Sequence, residues 1–297
     1  MELFLNRLLK RGKMNPILSV IEKNQSFFAL SFHLHQKLRN IQNFSKFEKN
    51  EQNILYQIKE KGYAVIPNFV DKEFCNKCIN ELEKNLEDHS EYVHKLSDLR
   101  IFGAEELSER IKEYSSKNFL FNLANHYNAE ETYNAFCLAN KIEFSDMSKK
   151  LGSGGGWHRD SIFRQFKSIL YLNDVDENNG AYQIIEKSHK LPYILKDMKT
   201  ANLKFKNIRF TSEQIEKILE REPSRLKTFT GKAGTLIVKD CSAIHRGSPL
   251  KSGKRYALTN YFFQKRKISL KLVEKFSPLV SPEKVLDLNK LSPLISS

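Results

Sequence analysis

The stretch GGGWHRDS, residues 154–161, places three glycines directly before the only tryptophan of the chain and a His-x-Asp pair. Side chains alternate between the two faces of a β-strand, so His158 and Asp160 can project to the same side. An imidazole and a carboxylate on one face supply two ligands of a facial triad, the arrangement that leaves positions open on a non-haem Fe(II). His-x-Asp also occurs in proteins where the histidine is merely hydrogen-bonded, so the metal interpretation depends on finding a third ligand.

His245 is the histidine best placed to be that ligand. It follows the apolar stretch GTLIVKD (234–240), which predicts a buried strand, and it opens the turn HRGSP (245–249). A side chain at this point is expected to face the interior of a barrel. The other histidines fall in segments with helical periodicity or at the close of a strand: His33, His35, His89, His94, His126 and His189.

An open iron site needs a source of electrons, and a keto acid such as 2-oxoglutarate provides them while occupying two of the open positions. The far carboxylate of that acid then requires a guanidinium, whose planar fork meets a carboxylate with two hydrogen bonds. Arg255 stands ten residues after His245, at the start of the strand RYALTNYFF (255–263). An antiparallel neighbouring strand would bring it within reach of the metal. Arg246, adjacent to His245, is expected to point the opposite way.

The order of the segments predicts an α+β chain. Residues 1–60 have helical periodicity, and the strand YAVIP (63–67) precedes a helix whose expected N-cap is Asp71. Helical periodicity returns at 103–128, and short strands separated by glycine-containing turns dominate after residue 131. Helices followed by many short strands favour a barrel or sandwich of antiparallel strands in the C-terminal half.

An ordered set of motifs resembles the phytanoyl-CoA dioxygenase family of Fe(II)- and 2-oxoglutarate-dependent oxygenases. The motifs are GYAVIPNFVDKEFC (62–75), WHRD (157–160), KSILYLNDVDENNGAYQIIEKSHK (167–190), GTLIVKDCSAIHRGSP (234–249) and GKRYALTNYFF (253–263). The resemblance covers the chain from about residue 60 to 265. It implies a double-stranded β-helix, the cupin-like jelly roll, with the N-terminal helices packed outside and a helical insert between barrel strands.

The change of pattern along the sequence also predicts a division of the chain. Residues 1–60 would form an N-terminal helical extension, 61–270 the dioxygenase domain, and 271–297 a C-terminal tail. The charged helical stretch 191–227 would be the insert, and a long insert between barrel strands often covers the mouth of the barrel as a lid.

The resemblance implies roles for the residues of this chain that match the family's motifs. His158, Asp160 and His245 would be the iron ligands, and Arg255 would pair with the distal carboxylate of 2-oxoglutarate. Because Asp160 fills a position that halogenating relatives leave to chloride, hydroxylation, or a related desaturation or epimerisation, is expected rather than halogenation.

Two further contacts are implied with less support from the motifs. Family members use a hydroxyl shortly after the distal histidine to support the carboxylate; here the second position is Gly247, and a serine follows one residue later as Ser248. The other end of 2-oxoglutarate is held by residues upstream of the His-x-Asp, for which Asn140 and Lys141 are the candidates.

The composition constrains the partner. The formal net charge is +14 and the pI is about 9.4, which suits an anionic ligand such as an acyl-CoA, a nucleotide sugar or another phosphorylated metabolite. The lysines are scattered rather than clustered, so a nucleic-acid partner is not expected. Two alternatives stay open: an oxygenase or demethylase of nucleic acid or protein, and a catalytically silent basic jelly roll that binds a partner.

The remaining features favour a cytoplasmic protein. Four cysteines are too few and too unevenly spaced for a disulfide framework, and Cys75 and Cys78 lie on an amphipathic helix, which favours core packing over zinc. No segment predicts a signal peptide or a membrane span, although the basic N-terminal helices suit contact with an anionic membrane surface.

The glycines before His158 do not precede a lysine and a helix, so a phosphate-binding loop is not expected. They are predicted to give the backbone a positive-φ approach to the ligand strand. Trp157, on the face opposite His158, is predicted to pack inside the sandwich.

Overall fold

Two antiparallel sheets face each other in the computed structural model, which describes residues 48–129, 131–205, 207–264 and Leu279. The strands are β1 Tyr63–Ile66, β2 Val93–Lys95, β3 Leu99–Phe102, β4 Thr132–Glu143, β5 Phe166–Tyr171, β6 Tyr182–Ile185, β7 Leu226–Phe229, β8 Leu236–Asp240, β9 His245–Gly247 and β10 Lys254–Gln264. The α-helices are α1 Lys49–Lys61, α2 Lys72–Asp88, α3 Glu109–Ser115, α4 Asn118–Asn128, α5 Asp146–Leu151, α6 Leu191–Ala201 and α7 Ser212–Arg221. The helices predicted before residue 48, and nearly all of the predicted C-terminal tail, lie outside the described residues.

The strand order is that of a jelly roll. Among the described residues, the larger sheet has seven strands in the order β1-β8-β5-β10-β4-β3-β2, and the smaller sheet has three in the order β7-β6-β9. Between the sheets lies a core of buried side chains: Ile169, Tyr171, Tyr182, Ile184, Ile237 and Ala257. The predicted double-stranded β-helix is therefore confirmed. The strand that carries Arg255, β10, lies in the middle of the larger sheet, between β5 and β4.

Helices cover the outer face of the larger sheet. Ile54, Leu55 and Ile58 of α1 join one hydrophobic core with α2, α4 and the outward-facing side chains of β5, β8 and β10. Asp71 caps α2 as predicted, accepting a hydrogen bond from the Phe74 amide at 2.7 Å. Cys75 and Cys78 are completely buried in this core as free thiols, which confirms the core-packing interpretation.

The helical insert follows β6 and contains α6 and α7. A buried bidentate ion pair joins its ends, with Arg225 donating to both carboxylate oxygens of Asp197 at 2.7 and 2.8 Å. The insert packs onto Trp157 through apolar side chains that include Ile215 and Ile218. The prediction that Trp157 packs inside the sandwich is therefore wrong: the indole lies between the smaller sheet and the insert, because it alternates with His158.

One local prediction differs from the structure. The segment around His94 has the charged composition of a helix, yet it forms β2, because pairing with β3 at the edge of the larger sheet overrides local helical preference. The helical pattern predicted over 103–128 is confirmed, as a 3₁₀ turn (Ala104–Glu106), α3 and α4.

No helix among the described residues is both long enough and apolar enough to cross a lipid bilayer.

The start of α7 provides a test of the insert's stability. The Thr211 hydroxyl accepts from the Gln214 amide while the Gln214 side chain accepts from the Thr211 amide, a reciprocal capping box. Thr211→Ala is expected to lower the free energy of unfolding by about 1 kcal/mol. Chemical denaturation would measure the change, with Ser212→Ala as the matched control. Equal losses in the two variants would contradict the capping role.

Candidate metal and co-substrate site

The two histidines of the site are brought together by a short antiparallel bridge. The His158 amide donates to the His245 carbonyl at 2.9 Å, and the His245 amide donates back at 2.7 Å. His158 thus lies in an isolated bridge beside β9 rather than in the continuous strand that alternation predicts. The ring centroids are 4.3 Å apart.

Backbone carbonyls fix both imidazoles in the tautomer required for metal binding. Nδ1 of His158 lies 2.8 Å from the Gly156 carbonyl, and Nδ1 of His245 lies 2.8 Å from the Ala243 carbonyl. A carbonyl only accepts hydrogen bonds, so each Nδ1 carries the proton and each Nε2 presents a lone pair. This is the arrangement that orients histidine ligands in metal sites.

The carboxylate of Asp160 completes the group. Its Oδ1 lies 3.8 Å from Nε2 of His158, and its Oδ2 lies 3.8 Å from Nε2 of His245. One donor atom from each of the three residues falls within 4.8 Å of the others. The predicted triad therefore converges on one point inside the barrel mouth, although His245 lies more than eighty residues from the other two in the chain.

The charge states suit a divalent cation. Burial lowers the pKa of His158 to about 4 and that of His245 well below its usual value, so both imidazoles are neutral at neutral pH. Desolvation alone would raise the pKa of Asp160, but the nearby ammonium groups of Lys167 and Lys239 hold it well below its usual range. Two neutral nitrogens and one carboxylate form the donor set that suits Fe(II), so the residues present fit the metal.

The glycines of GGGWHRDS make room for this geometry. Gly154, Gly155 and Gly156 have φ values of 90°, 71° and 89°, the left-handed region that the sequence predicted. A Cβ on Gly154 would lie 2.8 Å from Cε1 of His158. The imidazole therefore occupies space that only glycine leaves open.

Arg255 fits the carboxylate of a co-substrate. It is 5% exposed at the start of β10, and burial lowers the pKa of its guanidinium. Its Nη1 donates to the Gly180 carbonyl, its Nη2 lies 3.4 Å from Oδ1 of Asn140, and its Nε has no hydrogen-bond partner among the described residues. No carboxylate lies within ion-pair distance of it in the described part of the chain. A buried cation without a counter-ion is costly, and the far carboxylate of 2-oxoglutarate would satisfy it.

Asn140 lies at this same end of the site. Its side-chain amide donates to Asp98 at 2.6 Å, and its Oδ1 faces the guanidinium of Arg255. Its assignment to the opposite end of 2-oxoglutarate stays a prediction. Lys141, the other candidate, is directed away from Asn140 and forms ion pairs with Glu83 and Glu143 at 3.0 and 3.3 Å.

Ser248 is placed differently from the family pattern. It follows the end of β9 and lines a cavity together with Arg246. Its hydroxyl is buried without a hydrogen-bond partner among the described residues, so its support of the 2-oxoglutarate carboxylate stays a prediction. Arg246 points away from the metal ligands, as predicted.

Two buried lysines beside the triad were not anticipated from the sequence. Lys167 donates to Oδ2 of Asp160 at 2.8 Å, and its ammonium lies 3.4 Å from the centroid of the Tyr261 ring. Lys239, its cross-strand neighbour on β8, is 3% exposed and lies over the Tyr182 ring at 4.5 Å. Burial lowers the pKa of Lys239 to about 8. The sequence did contain a signal for these buried lysines, because Lys167 interrupts the apolar stretch FKSILY and Lys239 interrupts the apolar stretch TLIVKD.

The family model described as phytanoyl-CoA dioxygenase (PhyH) matches residues 58–257. The chain belongs to this family. The match includes all three residues of the triad and Arg255. As a phytanoyl-CoA dioxygenase family protein, the chain is a 2-oxoglutarate-dependent dioxygenase, and iron and 2-oxoglutarate are its cofactor and co-substrate.

Solved structures share the fold at low sequence identity. The epimerase SnoN in complex with Fe3+, alpha ketoglutarate and nogalamycin RO is 13% identical, with a TM-score of 0.54 over 73% of this chain and 84% of that one. EctD from S. alaskensis with bound Fe is 14% identical, with a TM-score of 0.55 over 75% and 79%. HygX from Streptomyces hygroscopicus with nickel and 2-oxoglutarate is 13% identical, with a TM-score of 0.50 over 71% and 86%. No curated protein matches the chain.

Proposed function

We propose that this phytanoyl-CoA dioxygenase family protein hydroxylates a small anionic metabolite. In this proposal His158, Asp160 and His245 hold the iron, and Arg255 binds the far carboxylate of 2-oxoglutarate. The convergence of two Nε2 lone pairs and one carboxylate on a single point carries the proposal.

When bound, iron and 2-oxoglutarate would supply the chemistry: with O2 as the oxidant, the keto acid would be converted to succinate and CO2 and take up one oxygen atom, and the other oxygen atom would enter a C–H bond of the substrate. The residues of the chain bind and orient. The two Nδ1–H groups hold the imidazoles in place, and Lys167 restrains Oδ2 of Asp160 by a charge-assisted hydrogen bond.

Asp160 favours hydroxylation over halogenation, because its carboxylate takes the ligand position that chloride would need. Desaturation and epimerisation use the same ligand set and remain related outcomes of the proposal. Chlorinated product formed by the unmutated protein in chloride buffer, identified by mass spectrometry, would overturn this assignment.

The charges around the barrel interior support an anionic substrate. Lys167 is neutralised by Asp160, and Arg255 would be neutralised by 2-oxoglutarate. Lys239 is left without a carboxylate within ion-pair distance among the described residues, and it lies beside the triad over Tyr182. Asp160 and Asp240 attract this buried ammonium from a distance, and a carboxylate or phosphate of the substrate would provide the direct ion-pair partner that it lacks. Acyl-CoA, nucleotide sugar and other phosphorylated metabolites belong to this class.

A screen for substrate-dependent succinate formation with Fe(II) and 2-oxoglutarate tests the proposal. Each anionic compound would be paired with a neutral analogue, such as a carboxylate with its carboxamide. We expect turnover of anionic members only. Preferential turnover of neutral analogues would overturn the anionic class without affecting the assignment as a dioxygenase.

Lys239 gives a sharper prediction once a substrate is found. Lys239→Met is expected to raise the KM for the anionic substrate at least about tenfold, because a charged partner is typically worth 1.5–3 kcal/mol. Succinate formation without substrate should be unchanged. Steady-state kinetics would measure both, with the exposed Lys232→Met as control. An unchanged KM would contradict the role of Lys239.

The division into residues 1–60, 61–270 and 271–297 is also part of the proposal, as is a cytoplasmic location. The four free, buried cysteines support a reducing compartment.

A further inference from the structure

The outer face of the smaller sheet carries a second concave site. Gln183 of β6 pairs with Thr228 of β7 on one side and with Arg246 of β9 on the other. These three side chains project away from the barrel interior, which contains the neighbouring side chains of Tyr182 and His245. They line a cavity of about 580 Å³, here called the outer cavity, within the range typical of small-molecule sites.

The floor of the outer cavity is a hydrogen-bonded row that ends in a guanidinium. The Gln183 amide donates to the Thr228 hydroxyl at 3.0 Å, and Nε of Arg246 donates to Oε1 of Gln183 at 2.8 Å. The guanidinium also stacks over Trp157, 4.3 Å from the ring centroid. Arg246 is thus held by one hydrogen bond and one aromatic face, which fixes the direction of its two terminal nitrogens.

Those terminal nitrogens have no partner within the described part of the chain. Neither donates a hydrogen bond there, and no carboxylate lies within ion-pair distance of Arg246. The guanidinium of an arginine stays protonated in proteins, so the side chain is a cation at neutral pH. A ligand can therefore supply the anionic partner that this partly buried cation lacks.

Other groups around the outer cavity have matching chemistry. Lys149 and Lys251 add two positive charges, and Glu177 is the carboxylate among the lining residues, so three cations face one anion. Phe144, which is 49% exposed, provides an apolar wall.

We propose that the outer cavity binds a small molecule carrying a phosphate or diphosphate group, at a site separate from the iron centre. The planar fork of Arg246 matches phosphate oxygens, the two lysines neutralise the additional charge, and the apolar wall contacts the remainder of the molecule. The proposal does not depend on the substrate of the dioxygenase reaction.

The position of the only tryptophan provides a direct readout. Trp157 contacts Arg246, so a ligand bound by this guanidinium is expected to change the intrinsic emission of the chain. The full chain, free of iron and 2-oxoglutarate, would be titrated with inorganic pyrophosphate at constant ionic strength. We expect a saturable change in emission. Absence of saturable binding to pyrophosphate would overturn the proposal.

Variants that each remove one positive charge locate the binding site. Arg246→Gln is expected to weaken pyrophosphate binding at least about tenfold, while Arg221→Gln, an exposed residue of α7 outside the cavity, leaves it unchanged. Arg255→Gln should also leave it unchanged. Binding that is lost in Arg255→Gln and retained in Arg246→Gln would place the anion in the 2-oxoglutarate site and overturn the outer site.

A second variant covers the case in which Arg246→Gln does not fold. The double change Lys149→Gln with Lys251→Gln alters two exposed side chains and leaves the row of Thr228, Gln183 and Arg246 intact. It is expected to weaken pyrophosphate binding at least about threefold, with an unchanged Tm. Unchanged affinity in this folded variant would contradict the proposal.

Discussion

His245→Ala is expected to abolish stoichiometric iron binding and, with it, 2-oxoglutarate turnover. The imidazole is one of three donors, and the group around it offers no fourth histidine or carboxylate among the described residues. Loss of residues that only orient metal ligands already costs about 10- to 100-fold in affinity, so loss of a ligand should cost more than about 100-fold. Anaerobic titration with Fe(II) would measure it.

The matched control for this experiment is His94→Ala, which removes an exposed imidazole at the edge of the larger sheet. Iron binding should be retained in that variant. If His245→Ala bound iron with the stoichiometry and affinity of the unmutated protein, the third ligand would have to be sought elsewhere in the chain.

Arg255→Ala should weaken binding of the co-substrate without affecting binding of the metal. Removing one partner of a buried, hydrogen-bonded charge pair costs about 2–5 kcal/mol, and about 1.4 kcal/mol corresponds to a factor of ten. The concentration of 2-oxoglutarate needed for half-maximal succinate formation should therefore rise at least about thirtyfold. Iron binding should persist, because the guanidinium contacts Gly180 and Asn140 rather than the triad.

Arg255→Lys separates charge from geometry in the same assay. It keeps a cation but lacks the planar fork, so we expect an intermediate requirement for 2-oxoglutarate. Equal 2-oxoglutarate affinity in Arg255→Ala and the unmutated protein would refute the assignment.

The triad could be predicted because the position of each ligand depends only on residues close to it in the sequence. A separation of two residues places His158 and Asp160 on one side of an extended segment, and a histidine after a buried strand points into the barrel. The direction of Arg246 followed from the same alternation. These inferences require only that side chains alternate between the two faces of a strand.

The surroundings of the triad depend on which strands are neighbours, and this information is not local. Lys167 and Lys239 meet because β5 and β8 pair in a particular register, with more than sixty residues between them. Asn140 reaches Arg255 because β4 pairs with β10. Alternation correctly placed Trp157 opposite His158, but only the packing of the insert decides that this opposite face is covered by helices.

The position of β10 also constrains how the polypeptide can be assembled during synthesis. When translation has passed β9, the larger sheet can exist only as two separate halves, β1-β8-β5 and β4-β3-β2, because the strand that joins them comes last among the described elements. Each half then exposes an unpaired edge that invites association with other nascent chains. Closure requires pairing over more than one hundred residues of chain, a slow step by the usual dependence of folding rate on contact distance. A truncation that removes β10 would therefore leave two unjoined half-sheets rather than a smaller barrel.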